Sequence, residues 1–194
     1  NALTFYAAGH ETTATALTWA IYLLAGQPEL QDEARTEAQA ALGGDVATLA
    51  DRLPLLRQIL DETMRLYPSA LQIIREAVAD DDMQGVRVKK GELVFIYPWI
   101  LHRHRKLWDR PDAFDQTRWT PENKAKLHRY QYIPFGAGPR ICVGARFAIT
   151  EALIILARWL AARRFRLPPG LKPLPYGNVT LRPKDGMPLI VEPV

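Results

Sequence analysis

The chain is expected to fold as a mainly α protein with small β-sheets. Four long segments have helix-compatible apolar spacing, at 1–25, 28–42, 53–66 and 144–162. Only short strings in the middle and at the end alternate like strands. Between them lies a long irregular stretch, 103–143, and a compact domain keeps such a length without regular structure mostly for function.

Taken in order, the first segment carries no internal proline and stops at Gly26 and Pro28. Pro28 suits the first turn of the second helix, and Gly43-Gly44 lie beyond its end, as helix termini favour. Asp51 is placed to cap the third helix, which Pro68 halts. Strands are expected at 72–78, 86–89 and 93–97, with turns at 80–85 and Lys90-Gly91. The last helix is strongly apolar. The segments 179–182 and 189–192, around Asp185-Gly186, are expected to pair as a terminal hairpin.

The 194 residues suffice for one domain with a real core, and 48% apolar against 24% charged residues is a globular composition. No apolar run approaches the roughly 20 residues that a membrane span needs. A single cysteine excludes an internal disulfide framework or a Cys-rich metal site, and weakly fits a reducing, cytoplasmic compartment. The net charge is +4, yet the stretch from His102 to Arg146 holds ten Lys or Arg against four Asp or Glu. A basic face of this kind suits an acidic partner. Nucleic acid is the rival reading, but no RNA- or DNA-binding motif accompanies the charge.

The most informative string runs from Tyr132 to Ala148 and contains Phe135, Gly136, Gly138, Pro139, Arg140, Cys142, Gly144 and Arg146. A lone cysteine is most often a small buried hydrophobe. Here glycines and a proline crowd the residues before a helix, which lets backbone approach something flat or bulky. N–H groups near a helix start also favour a thiolate. A nucleotide-binding loop is excluded by spacing, because Ile141 stands where a third glycine belongs and no G-K-[ST] follows.

The pattern Phe135-x-x-Gly138-x-Arg140-x-Cys142-x-Gly144 resembles the haem-binding signature of the cytochromes P450 at every fixed position. That resemblance implies Cys142 as the axial thiolate ligand to iron. Phe135 would shield the sulfur, Gly138 and Gly144 would allow close backbone approach, and Arg140 would pair with a haem propionate. Three further strings resemble the family in its order. Glu62-Thr63-Met64-Arg65 is similar to its E-x-x-R motif, and the stretch from Pro111 to Trp119 to the one whose arginine, here Arg118, completes a Glu–Arg–Arg triad. Trp119 and Gln116 stand where Phe and Pro are usual, and neither is expected to touch the charges. The run Ala8-Gly9-His10-Glu11-Thr12-Thr13 resembles the motif that bends a long helix over the distal haem face. Glu11 and Thr12 would be its acid–alcohol proton-delivery pair. Arg75 stands where a second propionate-binding arginine is common. His102, His104 and His128 are expected at the surface or beside a propionate.

The resemblance covers essentially the whole chain and implies the C-terminal part (1–194) of a single P450 domain, with the N-terminal half absent. It implies haem b (iron protoporphyrin IX) as cofactor, a small organic substrate, dioxygen, and an acidic electron donor such as a ferredoxin, flavodoxin or reductase. The implied activity is monooxygenation. The alternatives are a haem-thiolate peroxygenase or isomerase that does not activate dioxygen, and an inactive truncated fragment without haem.

Overall fold

The computed structural model describes residues 2–194. Four long helices form its body: α1 (Ala2–Ala25), α2 (Pro28–Leu42), α3 (Pro54–Leu66) and α6 (Ala145–Ala162). Two short helices, α4 (Pro98–Leu101) and α5 (Pro121–Lys124), and 3-10 turns at Gln116–Trp119 and Gly138–Arg140 punctuate the otherwise irregular stretch.

The core lies where α1, α2, α3 and α6 meet. Leu17, Ile21 and Leu24 from α1, Leu56, Ile59 and Leu60 from α3, and Leu153, Leu156 and Leu160 from α6 are all buried in it. On α2 the core face is mostly alanine, with Ala34, Ala38 and Ala41 buried. Small side chains let α6 lie close against it, so dispersion contacts are gained along both backbones. The same helix carries two buried polar residues that close the ends of its neighbours. Arg35 Nε donates to the Leu160 carbonyl at 3.0 Å. Gln31 Nε2 donates to the carbonyls of Leu24, at 3.1 Å, and Phe165, at 2.9 Å. The last carbonyls of α1 and α6 have no partner within their own helices, and these side chains supply one.

Asp51 does not cap α3. It lies in a 3-10 turn, Val46–Arg52. The first N–H groups of α3 are met from α2 instead, where the Glu37 carboxylate accepts from Leu55 N at 2.7 Å and Leu56 N at 2.9 Å. A carboxylate reaching across from a packed neighbour satisfies two orphan donors and suits the positive end of the helix.

Strand β1 (Ile73–Glu76) pairs antiparallel with β4 (Leu93–Ile96), Ile73 opposite Ile96. Strand β2 (Asp81–Met83) pairs with β3 (Val86–Val88), so the expected turn at 80–85 contains a strand and narrows to Gln84-Gly85. Both turn residues have positive φ, 56° and 87°, as a two-residue hairpin turn demands.

The expected terminal hairpin does not form. Strand β7 (Leu181–Pro183) pairs with β6 (Pro175–Gly177), and β8 (Ile190–Pro193) pairs with β5 (Arg163–Arg166), which continues directly out of α6. Gly186 does turn the chain, with φ 81°, but its flanking strands find separate partners. Val191 lies opposite the buried Phe165, and Arg166 is ion-paired with Glu192. A turn residue specifies a bend, whereas long-range side-chain pairing decides which strand lies beside which.

Candidate functional site

The Cys142 loop runs directly into α6, and a Cβ at Gly136 would lie 3.7 Å from Ile73 Cδ1 of β1. Cys142 N–H donates to the Phe135 carbonyl at 2.9 Å, closing the loop into a narrow bend. Gly136 and Gly138 have φ of 76° and 74°, a region that a side chain makes costly. A Cβ at Gly138 would meet nothing within 4 Å, and one at Gly144 would stand 3.9 Å from Cys142 Sγ. The cysteine is exposed. Around it Ile141, Val143 and Phe147 present apolar surface, with Val143 86% and Phe147 73% exposed, while Phe135 packs inward against the core. Arg140 and Arg75 are exposed, the latter on β1 with Nη1 donating to the Ile74 carbonyl at 2.8 Å. A bare sulfur on a glycine-bent loop, amid uncovered aliphatic and aromatic side chains and with two exposed guanidinium groups, fits a flat apolar group that bears carboxylates. That is the chemistry of haem.

Behind this loop the structure joins Glu62, Arg65 and Arg118. Arg65 donates to both Glu62 oxygens, each at 2.8 Å, and both side chains are fully buried. Arg118 Nε stands 3.4 Å from Glu62 Oε1, an ion-pair contact without a well-aligned hydrogen bond. Its Nη2 donates to the Arg110 carbonyl at 3.1 Å. The remaining Arg65 donors reach the backbone of the irregular stretch, at the carbonyls of His102 (2.9 Å), Pro111 (2.6 Å) and Ala113 (2.9 Å). Every guanidinium nitrogen is therefore used, which is the condition under which a buried charge is tolerable.

Trp119 does touch the charges, contrary to expectation. Its indole N–H donates to Glu62 Oε2 at 2.9 Å. A phenylalanine would fill similar space but leave that oxygen short of a donor, and a buried carboxylate attracts every donor within reach.

His102 is also misplaced by the sequence reading. It is fully buried, and its Nε2 accepts from Ile133 N–H at 2.9 Å. Its Nδ1 faces the backbone of Met64 and Arg65 without closing an aligned bond. Burial, chiefly, lowers its pKa to about 3; that backbone pulls the other way, and the Arg65 charge lowers it further. His102 thus ties α4 to the base of the Cys142 loop as a neutral ring. His104 and His128 are exposed. Among the described residues no cluster of three or more His, Cys, Asp or Glu could hold a metal ion.

On α1, Glu11 and Thr12 face different partners. Thr12 Oγ1 donates to the Ala8 carbonyl at 2.8 Å, one turn back, and the Thr12 carbonyl accepts from Ser69 Oγ at 2.8 Å. Glu11 Oε1 accepts from Thr180 Oγ1 at 2.6 Å. A Cβ at Gly9 would meet nothing within 4 Å, so α1 shows bare backbone beside this pair. Nothing in the sequence singled out Thr180.

Tyr132 was visible only as part of the loop string. Its hydroxyl lies 3.0 Å from the Asp61 carbonyl and 3.1 Å from Asp61 Oδ1. Burial, reinforced by the Asp61 carboxylate, pushes its phenol well above its ordinary value. Asp61 is further paired with Arg57 Nε at 2.9 Å and lies 3.8 Å from Lys124 Nζ. The loop is thus anchored on α3 beside the Glu62 cluster.

Comparison with known proteins agrees with this geometry. The family model described as Cytochrome P450 matches residues 1–189. The human protein Cytochrome P450 4V2 is 37% identical over 193 residues, 95% of this chain and 36% of its own length. Cyclooctatin synthase of Streptomyces melanosporofaciens is 38% identical over 185 residues, 93% and 40% respectively. The crystal structure of the cytochrome P450DA heme domain superposes with a TM-score of 0.90 at 34% identity, over 98% of this chain and 43% of that one. That of a cytochrome P450 (CYP102L1) gives 0.91 at 33% identity, over 99% and 44%. The chain therefore spans less than half the length of each of these four proteins. With its signature loop, its buried Glu–Arg pair and these likenesses, the chain belongs to the cytochrome P450 family.

Proposed function

We propose that the protein containing this chain is a haem-thiolate monooxygenase, inserting one oxygen atom of dioxygen into a small organic substrate. The observation that carries the reading is the exposed Cys142 sulfur on a loop bent by Gly136 and Gly138 directly before α6. Cys142 would ligate the iron of haem b, and Arg140 and Arg75 would pair with its propionates. When bound, the haem supplies the site at which dioxygen is reduced and cleaved.

The chain's own residues then have separable tasks. Phe135 keeps water from the flank of the sulfur. Thr12, whose proton is committed to the Ala8 carbonyl, retains lone pairs with which to hold a water as acceptor. Glu11, one residue away, resupplies protons to that water by moving between the two sides of α1. Electrons would come from an acidic protein donor, because Lys124, Lys126, Arg129 and Arg146 are all exposed.

The test is Cys142→Ser in the full-length protein. The reduced, carbon monoxide-bound form should lose its thiolate-type absorption band. A variant that kept the wild-type band would overturn the assignment.

A further inference from the structure

Glu11 is held from a side that its own helix does not supply. Thr180, only 4% exposed, lies in the connection between β6 and β7, and its hydroxyl donates to Glu11 Oε1 at 2.6 Å. The backbone around Thr180 is fixed. Thr180 forms a β-bridge with Ala70, Leu181 N–H donates to the Ser69 carbonyl at 3.1 Å, and the Leu181 carbonyl accepts from the buried Trp19 indole at 2.7 Å. Ser69 in turn donates to the Thr12 carbonyl. The Thr180 hydroxyl therefore cannot follow the carboxylate if Glu11 swings.

We propose that Thr180 is a positioning residue: a latch that keeps the Glu11 carboxylate turned toward Thr180 and away from the water held at Thr12 until it has taken up a proton. The proposal rests on the proton-relay reading given above. A hydrogen bond to a charged acceptor is roughly twice as strong as one to a neutral acceptor. When the carboxylate is protonated, the bond to Thr180 weakens. The neutral acid also costs less to move out of solvent than the anion. The sequence is balanced in protons: one passes from water to a Glu11 oxygen, then to the water held at Thr12, and the carboxylate returns to Thr180. No electron moves. Without the latch the carboxylate turns toward Thr12 unloaded and the water there is not resupplied. Dioxygen that has received two electrons from the donor then departs with two protons as hydrogen peroxide.

The experiment uses the full-length holoenzyme with Thr180→Val, Thr180→Ser, Glu11→Ala and the Thr180→Val/Glu11→Ala pair. Thermal midpoints read the bond without turnover: Thr180→Val should lower the midpoint when Glu11 is present and not when residue 11 is alanine. Equal shifts in both backgrounds would show that the bond contributes nothing and overturn the latch. In turnover, the share of electrons released as peroxide should rise several-fold in Thr180→Val, return to the wild-type level in Thr180→Ser, and not differ between Glu11→Ala and the double variant. If the midpoints show the pair coupled while Thr180→Val leaks no more peroxide than wild type, or Thr180→Ser leaks as much as Val, the bond is structural only. The latch then fails and the relay stands. If Glu11→Ala turns over with wild-type rate and coupling, the relay itself fails, and the latch with it.

Discussion

Arg65 grips Glu62 through two parallel hydrogen bonds of 2.8 Å on one face of α3, with neither side chain reaching solvent. Two residues three apart on a helix share a face, and on an exposed face such a pair would contribute only tenths of a kcal/mol. Buried, the pair becomes a hub, because the Arg65 donors left over from Glu62 hold the irregular stretch.

Removing either partner leaves an uncompensated charge out of water. Glu62→Ala or Arg65→Ala in the full-length protein is expected to cost about 3–5 kcal/mol and to yield little soluble holoprotein. Trp119→Phe, which removes one donor to the same carboxylate, should cost about 1–3 kcal/mol. Thermal unfolding separates these, and a wild-type midpoint in Glu62→Ala would contradict the hub.

His102 makes a pH prediction with a defined sign. Its folded pKa of about 3 lies below the ordinary 6.5, so between those values the unfolded chain binds the proton that the folded chain refuses. Its contribution to stability is present above about pH 6.5 and is lost as pH falls toward 3, at up to about 1.4 kcal/mol per pH unit. Chemical denaturation across this window should show a steep acid slope that is shallower in His102→Gln. Parallel slopes for the two proteins would refute it.

Glu37→Ala should free the Leu55 and Leu56 N–H groups at the start of α3 and lower stability by about 1–2 kcal/mol, the range of a lost helix cap. Glu37→Gln should fall between, since a single amide oxygen remains as acceptor. If Asp51→Ala were the more damaging change, the capping role would return to the turn before the helix.

Reversing charge at Lys126 and Arg129 should slow reduction by an acidic donor protein several-fold at low salt and flatten the dependence of that rate on ionic strength, because rim charges act chiefly on association. Stopped-flow reduction at several salt concentrations checks this. Rates that are independent of salt in wild type would show that the basic face does not steer the donor.

The helices were legible because their signals are local. Pro28 and Gly43 bracket α2, and its observed limits coincide with the expected ones. The Cys142 loop was legible for a similar reason, since ten consecutive residues, Phe135 to Gly144, carry its whole pattern. What escaped the sequence is long-range. The partner of β8 is set by Phe165, Glu37 caps a helix 18 residues away, and Thr180 reaches Glu11 across 169 positions. His102 was misjudged because histidine's polarity suggests exposure, whereas a neutral ring that accepts a backbone N–H is an acceptable core residue. Trp119 was misjudged as a filler of space because its N–H has no use until a carboxylate lies beside it.

The contacts by which Arg65 holds the irregular stretch fall on the carbonyls of His102, Pro111 and Ala113, not on their side chains. A carbonyl is common to all twenty amino acids. Over evolutionary time the side chains at positions 111 and 113 can therefore change while the clamp keeps its grip, provided the path of the main chain is preserved. Drift at these two positions is free in chemistry and constrained in length: an exchange of residues there leaves the clamp intact, and an inserted or deleted one does not.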